Sequence, residues 1–487
     1  MAANQKTQSL CPECRRVIDA TISARGGQVF LEKECPEHGR FEDVYWSDEP
    51  SFDRAERLSY EGSGVENPRT EKKRGCPLDC GICPGHRSHT VLGIIDVTNR
   101  CNLKCPICFA NAAAAGYVYE PSQEQITAML TNLRSNRPLP APALQFSGGE
   151  PTLREDLPEL IRTAKRLGFL NVEVNTNGIR FSQSLEYCRT LKEAGLDTVY
   201  LQFDGLTPDA SIFARGRDLV ATKMAAIENF RRAGMRSIVL VVTLIKGIND
   251  GQLGDIVRFA ADNFDVIRCV NAQPLAFAGR VPGEDLRKRR ITIPDFMKAV
   301  EEQTGGRIGT ADFYPVPSEV PMARAVGALR HERYPEFTAH PHCGTATYLF
   351  LEKGEIVPIG RAVDVPKFLK SVDGVFRTAS RGRRLRAKLR FVASLRHVRM
   401  GMLRKYLRPL FRTGSFEALD EIHYQMILLS AMHFMDAHNF DVERVRRCLI
   451  HYAVPDGRLI PFCAYNNLGY REKIEKTFSR RPADAHP

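Results

Sequence analysis

DVTNRCNLKCPICFA, residues 96–110, and QFSGGEP, residues 145–151, decide how the chain folds. Each belongs to an apolar run that ends in a polar turn: VLGIIDVT (91–98) leads into the first, and ALQFSGGE (143–150) overlaps the second. Four more runs of this kind follow: NVEVNTNG (171–178), TVYLQFDG (198–205), SIVLVVTL (237–244) and DVIRCVNAQ (265–273). Amphipathic helical patterns separate them, as in Gln123 to Leu133, Leu157 to Leu167 and Ala221 to Ala233. This alternation predicts an α/β fold over residues 91–280, with parallel strands and right-handed crossovers. About six such units make an open sheet or a partial (β/α)6 barrel. Chemistry in such folds collects at the C-terminal ends of the strands. Cys101, Gly148, Asn177 and Asp204 all lie at or just after such ends.

The rest of the composition bounds the class of protein. With 487 residues, 43% hydrophobic and 26% charged, the chain is neither disordered nor fibrous. Its longest apolar run, Ile238 to Ile245, falls short of the ~18–20 residues that span a bilayer and reads as a buried strand. The start, MAANQKTQSLCPEC, lacks the pattern of a secretory signal, so the cytoplasm is the expected compartment. The formal charge of +12 is concentrated: residues 374–416 hold thirteen Lys or Arg and no acid, which leaves the remainder close to neutral. A uniformly basic nucleic-acid coat would look different, and no nucleic-acid partner is expected.

Fourteen cysteines in a reducing compartment point to metal rather than disulfides. Cys101, Cys105 and Cys108 keep a CxxxCxxC spacing on a loop leaving a strand. A [4Fe-4S] cube takes four ligands, so three cysteines leave one iron open to a small molecule carrying an amine and a carboxylate. Zinc or buried thiols are the alternatives, and the following SGGEP argues against them: paired glycines allow close backbone approach, and Glu150 can accept from an ammonium. Cys76, Cys80 and Cys83 repeat the spacing in GCPLDCGICPGH, as an auxiliary cluster or as a zinc knuckle completed by His86 or His89. Cys343, Cys448 and Cys463 form a further auxiliary site, with Cys269 or an exogenous ligand as fourth partner, or are ordinary buried cysteines. Cys188, inside an amphipathic helix, reads as core. CPEC and CPEH place Cys11, Cys14, Cys35 and His38 as a closed Cys3His site for zinc, with mononuclear iron as the alternative metal and a surface His38 as the plain one.

The chain therefore divides into a Cys3His module (1–48), a linker with an auxiliary-cluster segment (49–90), the α/β core (91–280) and a mixed C-terminal region (281–487). In the last, Leu385, Leu389, Val392, Leu395, Val398, Met402, Tyr406 and Leu410 recur at helical steps among arginines and lysines. Such a stripe suits an anionic membrane surface, a helix packed on the core, or, with few aromatics to stack on bases, nucleic acid least.

Through Cys101, Cys105, Cys108 and the Gly148-Gly149-Glu150 motif, residues 90–280 resemble the radical S-adenosylmethionine (SAM) superfamily. The resemblance implies that a reduced cluster splits SAM into methionine and a 5′-deoxyadenosyl radical, which abstracts hydrogen from unactivated carbon. It implies that Glu150 holds the methionine amine, with Gly148 and Gly149 beside it in the cofactor site, and that Asn175, Thr176 and Asn177 hold the ribose or carboxylate. Gln202 and Thr243 add polar contacts, and Ile107 faces adenine. An electron donor such as a flavodoxin or ferredoxin is implied as partner. Over nearly its whole length the chain also resembles the archaeal tetraether lipid synthase group and its bacterial relatives. This rests on CPEC and CPEHG, GCPLDCGICPGHRSHT (75–90), QFSGGEPTLREDLPEL (145–160), HCGTATYLF (342–350) and HYAVPDGRLIPFCAYN (451–466). That likeness implies carbon–carbon coupling of lipid alkyl chains, with peripheral membrane association. Some relatives carry the label of methyltransferases acting on a hydroxymethylpterin precursor, which is the alternative small-molecule reading. A non-enzymatic metal-containing nucleic-acid module is the third, and SGGEP argues against it.

Overall fold

The computed structural model describes residues 4–352, 354–399 and 425–479. The N-terminal module is an antiparallel meander of β1 (Gln5–Leu10), β2 (Val17–Arg25), β3 (Gln28–Cys35) and β4 (Gly39–Trp46). Gly26 and Gly27, both at positive φ, make the two-residue turn between β2 and β3 that matches the strands' twist. Ile22, Val29 and Leu31 alternate onto its buried face.

All six strands expected of the core form: β5 (Leu92–Thr98), β6 (Ala143–Gly148), β7 (Asn171–Thr176), β8 (Thr198–Gln202), β9 (Ile238–Leu244) and β10 (Ile267–Pro274). They pair parallel in sequence order. The C-terminal region adds β11 (Tyr314–Pro315), β12 (Gly344–Glu352), β13 (Glu355–Pro358), β14 (Met426–Met432), β15 (Ile450–Ala453) and β16 (Leu459–Pro461). Two of these extend the parallel array, β14 beside β10 and β15 beside β5. Among the described residues the sheet stays open, running from β11 to β16.

Helices cover one face of this sheet because the intervening segments carry both a stripe and a start signal. In Gln123–Arg134, Ser122 and Gln125 form a reciprocal capping box, and Ile126, Met129, Leu130 and Leu133 are buried. Beneath the helices, Val172, Val174, Val199, Leu201, Leu240 and Val242 are fully buried. The alternate residues face the concave side; on β6, β7 and β8 they include the polar Gln145, Ser147, Glu173, Asn175, Tyr200 and Gln202, whereas on β9 they are Val239, Val241 and Thr243. Tyr200 Oη accepts from Asn271 Nδ2 and, at 2.7 Å, from Gln273 Nε2, two strands away, which only a strongly curved sheet permits.

The basic segment begins as helices Val365–Ala379 and Arg384–Ser394. The second helix buries Ala387 and Ser394, with Phe391 half-buried beside them, and leaves Leu385, Leu389 and Val392 at 73%, 63% and 63% exposure. Leu395 and Val398 pack inward, and Met402, Tyr406 and Leu410 lie outside the described residues. Among the described residues no helix is long and apolar enough to cross a membrane.

Candidate active site and metal centres

The cysteine loop leaves the end of β5 and is clamped from two sides. On one side, Gly149 N and Glu150 N donate to the carbonyls of Thr98 and Arg100 at 2.7 and 2.8 Å. A Cβ on Gly148 or Gly149 would stand 2.2 Å from Thr98 O or 2.1 Å from Arg100 O. The glycines thus admit the cysteine loop's own backbone, where close approach to a ligand was the expectation. On the other side, Arg280 and Cys108 exchange backbone hydrogen bonds of 2.9 Å, and Arg280 Nε donates to Cys105 O at 2.7 Å. Burial pushes Cys101 up to about 12, with Glu150 and the other two thiols adding to it.

Glu150 is 1% exposed. Its Oε1 accepts from Thr152 N, Thr152 Oγ1 and Thr176 Oγ1 at 3.2, 2.6 and 2.7 Å, and its Oε2 accepts from Asn177 N alone at 2.8 Å. A carboxylate offers about four lone-pair sites, two on each oxygen, so Oε2 keeps capacity for another donor. Thr176 and Asn177 therefore serve the carboxylate directly. Asn177 also reaches Asn102 on the cysteine loop at 2.7 Å, and Asn175 donates to Ser147 at 3.3 Å. Gln202 and Thr243 both bond Arg215, the first through its amide oxygen and the second at 2.7 Å. Ile107 packs with Ala214, Ile245, Leu275 and Leu286 in an apolar cluster.

Sequence reasoning missed Arg215. It forms a bidentate pair with buried Asp204 at 2.8 and 2.7 Å and donates to Ile107 O at 3.1 Å, tying the ends of β8 and β9 to the cysteine loop. The available signal was the turn FDG (203–205) at a strand end, where Asp204 takes a left-handed φ of 65°. Lys223, 1% exposed, was also missed; it donates to Asn177 O, and burial brings it down to about 8.

Cys343, Cys448 and Cys463, far apart in sequence, come together: Cys448 feels Cys343, and Cys463 feels both. Buried Arg444 joins them, donating from Nε to Cys343 Sγ at 3.4 Å. Cys269, one of the two fourth partners left open, does not join: its thiol sits 3.8 Å from Ser430 Oγ on the sheet. Cys76, Cys80 and Cys83 line one small cavity with His86, and Cys80 also feels Cys448. His86 Nε2 meets Cys448 O and His451 Nε2 at 2.9 and 3.1 Å, and neither His86 nor His89 closes a compact ligand group with these thiols. Cys188 is core, its thiol donating to Ser184 O at 3.3 Å. In the N-terminal module, Cys11, Cys14, Cys35 and His38 converge, with Cys14–Cys35 sulfurs 3.9 Å apart and His38 Nδ1 at 3.7 and 3.5 Å from Cys11 and Cys35. Zinc bonds of ~2.3 Å to sulfur and ~2.0 Å to nitrogen give tetrahedral edges of this size.

Comparison with known proteins agrees with this geometry. The radical SAM superfamily matches residues 95–260, and the HMPTM N-terminal zinc ribbon domain matches residues 4–47. The 7,8-dihydro-6-hydroxymethylpterin dimethyltransferase of Methanocaldococcus jannaschii is 48% identical over 487 residues, covering 98% of this chain and 96% of that protein. The chain belongs to the radical SAM superfamily, in the family of that archaeal protein. It is an enzyme, and membership brings with it a [4Fe-4S] cluster and SAM. The core alone is shared more widely: the Fe-coproporphyrin III synthase of Methanosarcina barkeri is 34% identical over 207 residues, 42% of this chain and 49% of that one. Among solved structures, Streptococcus suis SuiB bound to its precursor peptide SuiA gives a TM-score of 0.36 at 17% identity, covering 45% of this chain and 46% of that chain.

Proposed function

We propose that the chain is a radical SAM methyltransferase acting on a hydroxymethylpterin-type ring. The full-length similarity to the archaeal pterin dimethyltransferase carries this reading and ranks it above the lipid coupling expected from sequence. The polar concave face supports it, because Gln145, Glu173, Tyr200, Asn271 and Gln273 offer the donors and acceptors that a heteroaromatic ring can use and an alkyl tail cannot. Bound at Cys101, Cys105 and Cys108, the cluster and SAM supply a radical able to take hydrogen from unactivated carbon. Glu150 Oε2 holds the methionine ammonium, and Thr176 and Asn177 hold Glu150 in place. Cys76, Cys80 and Cys83, and Cys343, Cys448 and Cys463, carry two auxiliary clusters; zinc fills the N-terminal site; a flavodoxin or ferredoxin delivers electrons.

One observation favours lipid alkyl coupling as a second reading: Leu385, Leu389 and Val392 stand exposed among arginines, a face suited to an anionic membrane. The test is the anaerobically reconstituted enzyme with dithionite, SAM and 7,8-dihydro-6-hydroxymethylpterin. Methylated pterin with 5′-deoxyadenosine is expected. Unmodified pterin, together with cross-linked chains in the lipids of an expressing bacterium, would reverse the order of the two readings. No 5′-deoxyadenosine under any condition would remove both.

A further inference from the structure

The segment His340-Pro341-His342 precedes β12 in a tight turn, closed by Cys343 N donating to His340 O at 2.9 Å, which brings the two imidazole rings to 5.0 Å. Helix Glu49–Glu56, which follows the N-terminal module, ends against them. Glu56, His340 and His342 each present a ligand atom, and all three atoms lie within 4.8 Å of one another. None of these residues belongs to the ribbon site or to a cysteine cluster.

The decisive feature is His342. It is 1% exposed, and its ring nitrogens make no hydrogen bond of good geometry, the Phe52 backbone offering only a weak one. Glu56 Oε1, 3.4 Å from His342 Nε2, is buried without a hydrogen-bond partner as well. Buried polar atoms are normally satisfied, so an imidazole nitrogen and a carboxylate oxygen left 3.4 Å apart without a hydrogen bond ask for something between. The aromatic rings of Phe52, Trp46 and Tyr45, at 4.2, 4.9 and 5.6 Å, fix the imidazole plane. His340, its ring 5.0 Å from that of His342, takes only a long 3.4 Å contact on Nδ1, from His342 N.

We propose that Glu56, His340 and His342 bind one divalent transition metal of the zinc or ferrous-iron class. Two donors each ~2.0–2.1 Å from a tetrahedral ion stand about 3.4 Å apart, the Glu56–His342 separation. Imidazole with one carboxylate suits these metals and not calcium or magnesium. Arg444 and Arg447 lie nearby, which further disfavours ions held by charge alone. Three protein donors leave a coordination position for water or an exogenous ligand. Because Glu56 and His340 are so distant in sequence, the ion would tie the helix after the ribbon to the turn that leads through Cys343 into β12.

The test is metal analysis of the full-length, cluster-reconstituted protein. Glu56→Gln and His340→Gln should each lose about one divalent equivalent and keep the cluster iron, while a Cys11→Ser/Cys14→Ser protein loses a different one. Loss of about four irons from His340→Gln would overturn the proposal by assigning the histidine to the Cys343 cluster. Unchanged metal in both variants would overturn it too. A second measurement does not depend on the variants folding: Co2+ added to the wild-type protein with its ribbon filled by zinc should give visible bands without thiolate charge transfer. Their absence would sink the site.

Discussion

At the residue scale the two buried glutamates of the concave side have opposite duties. Glu150 must stay charged, and burial, which raises its pKa, is opposed by the hydrogen bonds from Asn177, Thr152 and Thr176. Glu150→Gln removes the charge and turns an amide toward Asn177 N–H. A hydrogen bond to a charged group contributes about 1.5–3 kcal/mol, so SAM affinity should fall about 10- to 100-fold. Cluster absorbance should persist while 5′-deoxyadenosine yield drops at limiting SAM. Glu173 is different: burial pushes it up to about 7 against the donors Gln145 and Asn171. An unfolded glutamate near 4.5 is already ionised where the folded one still holds its proton. The group's stabilising contribution is therefore whole below 4.5 and lost as pH rises through 7, by roughly 1–3 kcal/mol given water on the concave face. Glu173→Gln should raise the melting temperature relative to wild type at pH 8 and bring no such gain at pH 5. An equal gain at both values would refute the assignment.

At the element scale, the join between β6 and the cysteine loop is the part most sensitive to one methyl group. A Cβ at Gly149 meets Arg100 O at 2.1 Å, and backbone cannot step aside as a flexible side chain would. Gly149→Ala should force the loop off β6 and lower the iron bound at Cys101, Cys105 and Cys108, read as iron and sulfide per chain. Gly251→Ala, where the new methyl meets nothing within 4 Å, should leave both unchanged. The six core strands were legible because each couples an apolar run to a polar turn, and the cysteine spacing marked the loop. Strands β14 and β15 were not legible: MILLSAM and IHYA find their partners in β10 and β5, more than 150 residues earlier, which no local period encodes. The apolar stripe at Leu385, Leu389 and Val392 was read correctly as helical, but helical period alone does not say which face meets the protein, and Ala387 and Phe391 took that place.

At the scale of the whole molecule, long-range ion pairs decide how the zinc ribbon sits on the rest, and these were invisible in the sequence because each partner looks like an ordinary surface charge. Arg290 is 5% exposed and pairs with Asp43 on β4 at 3.0 Å and with fully buried Asp436 at 3.0 Å. Tyr45 and Thr7 add hydrogen bonds of 3.0 and 2.6 Å to Asp441. Burial alone would raise Asp436, but Arg290 and the N–H groups of Phe277 and His438 outweigh it and hold the carboxyl at about 2. Its stabilising share is present above the ordinary value of 3.8 and is lost as pH falls toward 2. Removing the cation should hurt far more than removing the whole set. Arg290→Met strands two carboxylates in the interior and should cost about 3–5 kcal/mol. Hydrogen exchange would then quicken in β1 to β4 before it does in β5 to β10. Adding Asp43→Asn and Asp436→Asn to Arg290→Met should recover most of that loss, since an apolar or neutral replacement of a buried ion group is often close to neutral. If Arg290→Met alone leaves exchange in the ribbon unchanged, the ribbon is held by its aromatic and backbone contacts, and the buried ion group has no part in docking it.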